Sequence, residues 1–447
     1  MIDIKGDSRR IKPGDKFVAL RGISSDGHDY IEKAIENGAS EIIAEEGNYS
    51  IKTTIVPDTR EYLNNYLYDN YHDIIEDMTI IGITGTNGKT TSAYLIYQAL
   101  NKVGLKCAYI GTIGVYFDDK VASLANTNPD ICELYEIITD AYDKGFRYVV
   151  LEASSQGISY GRIKTLSFDY AIFTNLTQDH LDYHKTMENY ALAKQQLFKQ
   201  LKPNGLGIVN ADDNYNHYFK IGNYITYGVN SDDYKLKEYD MSDCITTFKV
   251  NDTVITSKLL GKYNIYNMLV TYIILDRLGI DTSVIQDTLK ELNPPNGRMD
   301  IIKYNNNTII IDYAHTPDAI GNIINTIKEI SHNKLYIVFG CTGDRDRTKR
   351  PIMTSLVLDN CDYAYITSDD LHDEEFEHIV GDMLEGNDKN NYKVIEDRYS
   401  AVKEAINSLD TNDLLLILGK GHEEFIIVKD KRIPYNDRKA VIEIVNK

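Results

Sequence analysis

The chain has 447 residues and a formal net charge of −19, from 67 acidic and 48 basic side chains. Hydrophobic residues make up 43% and charged residues 26%, which are ordinary proportions for a globular protein and exclude wholesale disorder, collagen and coiled coil. The acidity argues against nucleic acid or an anionic membrane as a partner, because both require a positive field. At roughly 150 residues per domain, the length predicts about three domains.

The N-terminal residues and the cysteines predict a cytoplasmic protein. The first ten residues are rich in charge and contain no apolar stretch, so we expect no signal peptide. The longest aliphatic run, Leu414–Leu418, is far too short to span a bilayer, so we expect no stable membrane insertion. Separated cysteines without a CxxC pair are typical of reduced thiols: Cys107, Cys132, Cys244, Cys341 and Cys361.

Strand and helix patterns alternate through the first two blocks of the sequence. In residues 1–77 we expect strands over 16–20 and 41–44, with a helix over 30–37 between them. Residues 78–296 open with an apolar strand over 78–84, a glycine-rich turn and an amphipathic helix that ends at Gly104. Further strands are expected over 148–152 and 170–174, a helix over 187–201 after Thr186, and a hairpin or loop over 230–252. This alternation predicts an α/β fold with a mostly parallel sheet.

The third block, residues 297–447, follows a stiff turn at Pro294, Pro295 and Gly297, which predicts a hinge. Four apolar strands over 308–312, 335–340, 363–367 and 414–418 are separated by helical patterns. They predict a second doubly wound sheet, so the C-terminal domain should be Rossmann-like.

The second block carries a phosphate-loop arrangement between its first strand and first helix. Glycines let backbone N–H groups turn toward phosphate oxygens, a lysine neutralises charge, and a hydroxyl can hold Mg²⁺. The strict GxxxxGK[ST] spacing fails because Ile83 stands where the first glycine belongs, so a turn that only caps a helix is the alternative. The flanking strand and helix favour a central P-loop, parallel-sheet ATPase domain that binds nucleotide through Gly85, Thr86, Asn87, Gly88, Lys89, Thr90 and Thr91.

Lys194 lies on the apolar stripe of the helix predicted over 187–201. Lysine is costly to bury there. Either the side chain reaches past the core edge to water, or it has a partner or a chemical modification. A carbamylated lysine would be an anion able to bind Mg²⁺. The spacing leaves these alternatives open.

Polar side chains follow several predicted strands, where open α/β sheets place their ligands. Glu152 ends one strand, a position that suits Mg²⁺ beside a phosphate loop but also a helix cap. His180 follows another strand, in a cluster with a second histidine and two aspartates that could bind metal, orient a base or cap helices. In the third block, Asp312, Gly419 and the basic run around Arg345 follow strands. The basic run could bind a carboxylate or phosphate, or it could form only a solvent-exposed face of the domain.

Together these segments resemble the Mur ligases, the ATP-dependent amide-forming enzymes of peptidoglycan precursor synthesis, and among them the members that add the third peptide residue. The resemblance covers essentially the whole chain. It implies an N-terminal UDP-binding domain at 1–77, a central ATP-binding domain at 78–296 and a C-terminal amino-acid-binding domain at 297–447. It also implies a monomer that joins the D-Glu carboxylate of UDP-MurNAc-L-Ala-D-Glu to a diamino acid, meso-diaminopimelate or L-lysine, through an acyl phosphate.

The resemblance further implies the use of ATP and Mg²⁺, a CO₂-derived carbamate on Lys194, and individual residue roles. The expected catalytic residues are Lys89, His180 and Lys194. The expected metal-binding residues are Thr90, Glu152, His180 and Lys194. Besides the phosphate loop, the nucleotide should contact Asn267, Arg298 and Asp312. The other substrates should contact Ser8, Thr127, Ser154, Arg162, Arg345, Asp369, His372, Gly419 and Glu423.

Two departures from the family pattern bear on the substrates. Asn128 stands between Thr127 and Pro129, where the family has a threonine. His372 stands where diaminopimelate-adding members have an arginine that binds the far carboxylate of diaminopimelate. Histidine is a poor substitute, because it cannot form the bidentate contact that arginine makes with a carboxylate. The acidic run over 369–375 would suit a far-end ammonium without a carboxylate, as in lysine or ornithine, or form only a solvated helix start.

Two alternatives to this activity remain. A folylpolyglutamate synthase resembles the same superfamily, but the extra domain at 1–77 disfavours it. A paralogue could act on another amino acid, or bind nucleotide or muropeptide without catalysis. The presence of Lys89, Glu152, His180 and Lys194 argues for catalysis.

Overall fold

The structure is a computed structural model that describes residues 2–22, 26–241, 245–328 and 330–446. Its strands form sheets of four, eleven and six strands and one two-stranded ribbon. The described cysteines Cys107, Cys132, Cys341 and Cys361 are free thiols, and Cys244 lies outside the described residues. In the described part of the chain, no helix combines the length and apolar character needed to cross a membrane.

The N-terminal domain is a small parallel sheet flanked by two helices. Its elements are β1 (Ile4–Lys5), β2 (Lys16–Val18), α1 (Ile31–Glu36), β3 (Glu41–Ala44), β4 (Lys52–Ile55) and α2 (Thr59–Asp77). The strands are parallel and follow the order β1-β2-β3-β4. The two predicted strands and the helix are present. The sequence pattern missed β1, which has two residues, and β4, which is polar and not buried, because neither shows an apolar pattern.

The central domain is built on the largest sheet. Its first elements are β5 (Thr79–Thr84), α3 (Lys89–Lys102), β6 (Cys107–Gly111), β7 (Gly114–Tyr116), β8 (Lys120–Ala122), α4 (Ile131–Asp143), β9 (Tyr148–Glu152), α5 (Ser155–Ser159), β10 (Phe168–Phe173), α6 (Leu181–His184) and α7 (Met187–Lys199). The remaining elements are β11 (Leu201–Asn210), β12 (Tyr224–Gly228), β13 (Tyr234–Asp240), β14 (Thr246–Val250), β15 (Thr253–Ser257), α8 (Lys262–Arg277) and α9 (Thr282–Glu291).

The order of this sheet is β15-β14-β13-β12-β11-β10-β5-β9-β6-β7-β8. Its middle strands, from β12 to β6, run parallel as predicted. Ile80 and Ile81 on β5 belong to two different hydrophobic clusters, because successive side chains of a strand point to opposite faces. Both faces of the sheet are therefore covered.

One detail of the central domain differs from the sequence prediction. The helix predicted over 187–201 ends at Lys199, because Leu201 begins β11 and pairs with Phe168 on β10. The segment over 230–252, predicted as a hairpin or loop, contributes the antiparallel strands β13 and β14 of a hairpin, and β15 extends this meander. The predicted cap is present, since the Thr186 hydroxyl accepts from the backbone N–H of Asn189 at 3.1 Å.

The C-terminal domain contains a second sheet and a ribbon. Its elements are β16 (Asp300–Tyr304), β17 (Asn307–Asp312), α10 (Pro317–Lys328), β18 (Leu335–Phe339), α11 (Lys349–Leu358), β19 (Tyr363–Ile366), α12 (Phe376–Leu384), β20 (Tyr392–Val394), α13 (Arg398–Asn407), β21 (Leu414–Leu418), β22 (Phe425–Val428), β23 (Lys431–Pro434) and α14 (Asp437–Val445).

The sheet order here is β16-β17-β21-β18-β19-β20, and all pairs are parallel except β16 with β17. The four predicted apolar strands form its centre, while the more polar edge strands β16 and β20 were missed. The carboxyl ends of β17, β21, β18 and β19 lie at one edge of the sheet, and the predicted polar segments follow them. The domain boundaries at 77 and 296 stay a prediction.

Candidate active site

The glycine-rich turn between β5 and α3 has the shape of a phosphate-binding loop. Gly88 has a φ of 84° and precedes Lys89, the first residue of α3, so the N-terminal end of the helix dipole faces the loop. A Cβ atom at Gly85 would lie 1.9 Å from Thr174 Oγ1, and one at Gly88 would lie 2.8 Å from Asn267 Oδ1. Close approach of neighbouring side chains therefore requires glycine at both positions.

The end of β10 holds this loop from one side. Thr174 Oγ1 and Asn175 Nδ2 donate to the Asn87 carbonyl at 2.7 and 3.0 Å, and the Asn87 N–H donates to Asn175 Oδ1 at 2.9 Å. These two residues were not predicted as site residues. Their role depends on β10 lying next to β5 in the sheet, which the local sequence does not reveal.

Lys89 and Thr90 make different contacts at the start of α3. Lys89 Nζ donates to the carbonyls of Gly85 and Thr86 at 3.0 and 2.8 Å, and burial lowers the pKa of this amine. The Thr90 hydroxyl donates to Glu152 Oε2 at 2.8 Å. Glu152 is buried at the end of β9, the other neighbour of β5. Two predicted metal-binding residues are thus in contact, and both offer the oxygen atoms that Mg²⁺ prefers.

Lys194 is only 1% exposed, so its side chain does not reach water. Its Nζ donates to the Gly85 carbonyl at 2.7 Å and lies 4.6 Å from the centroid of the Tyr190 ring. Burial, together with the charge of Lys89, holds the pKa of Lys194 well below its usual range. Among the described residues, no carboxylate lies within ion-pair distance of this amine. The lowered pKa favours the neutral amine, which is the form that reacts with CO₂.

His180 lies near the same tyrosine, since its ring centroid is 6.1 Å from that of Tyr190. Burial lowers the pKa of His180 to about 4 against the opposing charge of Asp179, so the imidazole is neutral at pH 7 and keeps a lone pair for a metal. His180 Nε2 is 3.4 Å from Asp179 Oδ2, and Asp179 Oδ1 is 3.5 Å from Lys349 Nζ on α11. This chain of contacts links the central and C-terminal domains beside the loop.

A cavity of about 390 Å³ opens between these two domains. The guanidinium carbon Cζ of Arg298 lies 4.4 Å from the centroid of the Tyr313 ring. The Nε atom of Arg298 is buried without a hydrogen-bond partner among the described residues. Asp312 accepts from the N–H groups of Met299 and Ala314 at 2.7 and 2.8 Å. The cavity brings together six predicted nucleotide-binding residues: Asn87, Gly88, Thr91, Asn267, Arg298 and Asp312.

Asn128, the departure from the family pattern, connects the predicted muramyl-peptide residues. Its Nδ2 donates to the Glu152 carbonyl at 2.7 Å, and its Oδ1 accepts from the Ser154 hydroxyl at 2.9 Å. Arg162 Nη1 donates to the Asn128 carbonyl at 2.8 Å. Thr127 Oγ1 lies 3.1 Å from the Thr112 hydroxyl, which itself donates to Glu152. These predicted residues therefore lie around Glu152.

Ser8 lies apart from this group, in the N-terminal domain. It begins a short 3₁₀ turn, Ser8–Arg10, whose N-cap is Asp7. Its carbonyl accepts from Asn37 Nδ2 at 2.8 Å, and the residue is buried.

The basic run after β18 separates into paired and unpaired cations. Arg347 and Arg350 form ion pairs with Glu374 at 2.9 and 2.8 Å, and Lys349 pairs with Asp179 across the domains. Arg345 is exposed and has no ion pair or hydrogen bond within the described residues. Within the described part of the chain, Arg345 is therefore the cation of this run that has no partner and can bind an anion.

A cluster of charged side chains follows β19 and β21. Lys420 is buried and lies 2.7 Å from Asp370 Oδ1, 3.7 Å from Asp369 Oδ1 and 2.5 Å from Glu423 Oε2. A Cβ atom at Gly419 would lie 2.5 Å from Asp369 Oδ2. We call Asp369, Asp370, Lys420 and Glu423 the carboxylate cluster.

Three carboxylates against one lysine leave an excess of negative charge in this cluster. Burial raises the pKa of Glu423 to about 7, against the lowering effect of Lys420. The acidic run over 369–375 thus divides, because Glu374 is engaged with arginines while Asp373 and Glu375 are exposed. His372 is tied to β22 through its backbone, with its N–H donating to the Ile427 carbonyl at 3.2 Å.

The fold and the phosphate loop define a nucleotide-dependent enzyme, and its candidate active site lies between two α/β domains. Comparison of the sequence with protein families supports this class of enzyme. Residues 3–78 match the Mur ligase family catalytic domain, residues 83–275 the Mur ligase middle domain, and residues 297–421 the Mur ligase glutamate ligase domain.

Individual relatives match nearly the whole chain. A protein of Clostridium botulinum named UDP-N-acetylmuramoyl-L-alanyl-D-glutamate--2,6-diaminopimelate ligase is 40% identical over 459 residues, which cover 99% of this chain and 94% of the relative. A solved structure of a ligase with that name is 31% identical, with a TM-score of 0.67 and coverages of 99% and 94%. The MurF ligase of Thermotoga maritima in complex with ADP shares the fold, with a TM-score of 0.72, 21% identity and coverages of 99% and 96%.

The chain belongs to the Mur ligase family, whose members are ATP-dependent, ADP-forming ligases. The predicted α/β fold with a central P-loop domain and a Rossmann-like C-terminal domain is confirmed. The match over 99% of the chain also includes the N-terminal domain that argued against a folylpolyglutamate synthase.

Proposed function

We propose that this chain joins a diamino acid to the D-Glu carboxylate of UDP-MurNAc-L-Ala-D-Glu at the expense of ATP. The observation that carries the proposal is the group formed by the phosphate loop, Glu152 and Lys194. The loop residues Asn87 and Gly88 of this group line the cavity that the C-terminal domain also lines. The names of the relatives support the choice of substrates. We propose the domain boundaries after residues 77 and 296, and a monomer in the cytoplasm, as parts of the same hypothesis.

The reaction would proceed in two steps across the cleft. The D-Glu carboxylate would attack the γ-phosphorus of ATP to form an acyl phosphate and ADP. The free amine of the diamino acid would then attack the acyl carbon, and phosphate would leave. Lys89 would neutralise charge on the phosphates, while Arg298 and Asn267 would hold the nucleoside end. Arg345, the unpaired cation after β18, would bind the α-carboxylate of the diamino acid.

The residues around the loop fit Mg²⁺ and a lysine carbamate. Thr90 and Glu152 offer hard oxygen donors in direct contact, His180 is neutral, and Lys194 is buried without an anionic partner among the described residues. Carbamylation would convert Lys194 from a costly buried amine into an oxygen ligand. When bound, Mg²⁺ would offset the charge that develops on the transferring phosphoryl group.

An ADP-release screen on UDP-MurNAc-L-Ala-D-Glu tests the function and the amino acid together. We expect turnover with a diamino acid, tested as meso-diaminopimelate, L-lysine and L-ornithine. The relatives' names favour diaminopimelate, whereas His372 and the negative carboxylate cluster favour a far-end ammonium without a carboxylate. A strong preference for diaminopimelate would contradict our interpretation of His372. No turnover with any amino acid would favour a non-catalytic paralogue.

The pH dependence of amino-acid binding tests the carboxylate cluster. Glu423 is protonated below its pKa of about 7 and anionic above it, so affinity for a cationic amino acid should rise as the pH increases from 6 to 8. We expect KM for the amino acid to fall several-fold over this range in the wild type. Deprotonation of the attacking amine also contributes, so Glu423→Gln is the control. An identical pH profile in that variant would contradict the role of Glu423.

A further inference from the structure

Four tyrosines form a compact group between helix α3 and strands β6 and β7. Tyr94 and Tyr97 lie on α3, the helix that begins with Lys89, and Tyr109 and Tyr116 lie on β6 and β7. All six pairs of ring centroids are separated by 5.6, 5.7, 5.7, 6.0, 6.0 or 6.3 Å. Tyr109 is completely buried. A buried tyrosine hydroxyl requires a hydrogen-bond partner, and the identity of that partner distinguishes Tyr109 from the others.

The Tyr109 hydroxyl donates to Glu152 Oε1. The Thr112 N–H donates to the same oxygen at 2.9 Å. The other oxygen, Oε2, accepts from the hydroxyls of Thr90 and Thr112 at 2.8 and 3.1 Å. Oε1 is therefore held by donors from β6 and from the turn that follows it, and Oε2 is the oxygen that contacts Thr90 after the phosphate loop.

The backbone leaves room for this pair at Gly111. A Cβ atom there would lie 2.3 Å from Glu152 Oε1 and 2.5 Å from the Tyr109 hydroxyl. The absence of a side chain at Gly111 is thus what lets the tyrosine and the carboxylate meet. Packing of the aromatic rings alone does not require this arrangement.

We propose that Tyr109 is a positioning residue for the metal-binding carboxylate of Glu152. Its hydroxyl holds Oε1 and so presents Oε2 beside the Thr90 hydroxyl. Glu152 and Thr90 would hold Mg²⁺ when it is bound. The inference rests on the proposed function, because it takes Thr90 and Glu152 as Mg²⁺ ligands. Residues that orient a metal ligand typically change metal affinity by about 10- to 100-fold when they are removed.

The test compares Tyr109→Phe with Tyr97→Phe. Both substitutions delete one hydroxyl from a buried ring of the same group, but the Tyr97 hydroxyl donates to the Phe117 carbonyl at 2.6 Å rather than to Glu152. ADP affinity is measured by calorimetry in EDTA and across a Mg²⁺ titration, and the Mg²⁺ dependence of ADP release is measured in parallel. For Tyr109→Phe we expect unchanged ADP affinity in EDTA and an increase of about tenfold in half-saturating Mg²⁺. Tyr97→Phe should match the wild type.

The outcomes separate this inference from the proposed function. If wild-type ADP binding responds to Mg²⁺ and Tyr109→Phe responds identically, the positioning role is wrong while the proposed function stands. If both tyrosine variants shift equally, the effect comes from ring packing, and the positioning role is again wrong. If Mg²⁺ does not affect ADP binding by the wild type, the proposed metal site fails and the inference fails with it.

Discussion

Replacement of Lys194 by alanine is expected to abolish ADP release. The substitution removes the buried amine that contacts the Gly85 carbonyl beside the phosphate loop, and with it the proposed carbamate. Loss of one preorganised charge at a reacting centre typically lowers kcat by about a hundredfold or more. The measurement is a coupled assay of ADP release at saturating ATP, Mg²⁺ and amino acid.

Short-chain carboxylic acids should partly restore the activity of this variant. Truncation to alanine leaves a cavity at the phosphate loop, and a small carboxylate entering it would return the anionic oxygens that the carbamate supplied. The matched control is Lys199→Ala, because Lys199 lies on the same helix but is exposed, and it should retain full activity. Full activity of the Lys194 variant would contradict the carbamate hypothesis.

Replacement of Arg398 by methionine is expected to destabilise the C-terminal domain strongly. Arg398 and Asp437 form a completely buried ion pair at 2.9 Å, and Arg398 also donates to the carbonyls of Ser368 and Leu418 at 3.2 and 2.7 Å. Removing one partner leaves the Asp437 charge buried and uncompensated, which typically costs about 3–5 kcal/mol of the free energy of unfolding. Denaturant unfolding followed by circular dichroism measures the change.

Two further variants separate the buried charge from other effects. The double variant Arg398→Met with Asp437→Leu removes both charges and should recover most of the lost stability. The surface pair of Lys393 and Glu404, at 2.7 Å and about half exposed, provides the control. Lys393→Met should cost less than about 1 kcal/mol, because exposed pairs are screened by solvent. Equal losses for Lys393→Met and Arg398→Met would contradict this argument.

The Arg398 pair also has a consequence for the substrate site. Ser368 and Leu418 immediately precede Asp369 and Gly419, and both carbonyls accept from the same guanidinium. Arg398 therefore fixes the ends of two strands that carry the carboxylate cluster. In the double variant, we expect a larger change in KM for the amino acid than in KM for ATP.

Local sequence patterns were sufficient to predict an element when its signal lies within one continuous segment. The apolar strands β9 and β21 have the predicted bounds, and the phosphate loop lies between β5 and α3 as expected. Gly85, Gly88 and Lys89 lie within five consecutive residues, so the motif is recognisable without knowledge of the rest of the chain. Short or polar edge strands such as β1 and β4 were missed, because their stability comes from pairing with neighbours rather than from an apolar pattern.

The sequence by itself also determined the family and the position of Lys194 on an apolar stripe, but it left the state of that lysine open. Only the tertiary structure shows that the Lys194 side chain does not reach water. It is buried because α7 packs near β5 and the phosphate loop, which are distant from it in the sequence. The contacts of Asn175, Tyr109 and Lys420 were likewise visible only in the tertiary structure. Their partners lie on neighbouring strands or in loops that follow other strands. Sheet order decides which strand ends meet, and that order depends on packing across the whole domain rather than on any one segment.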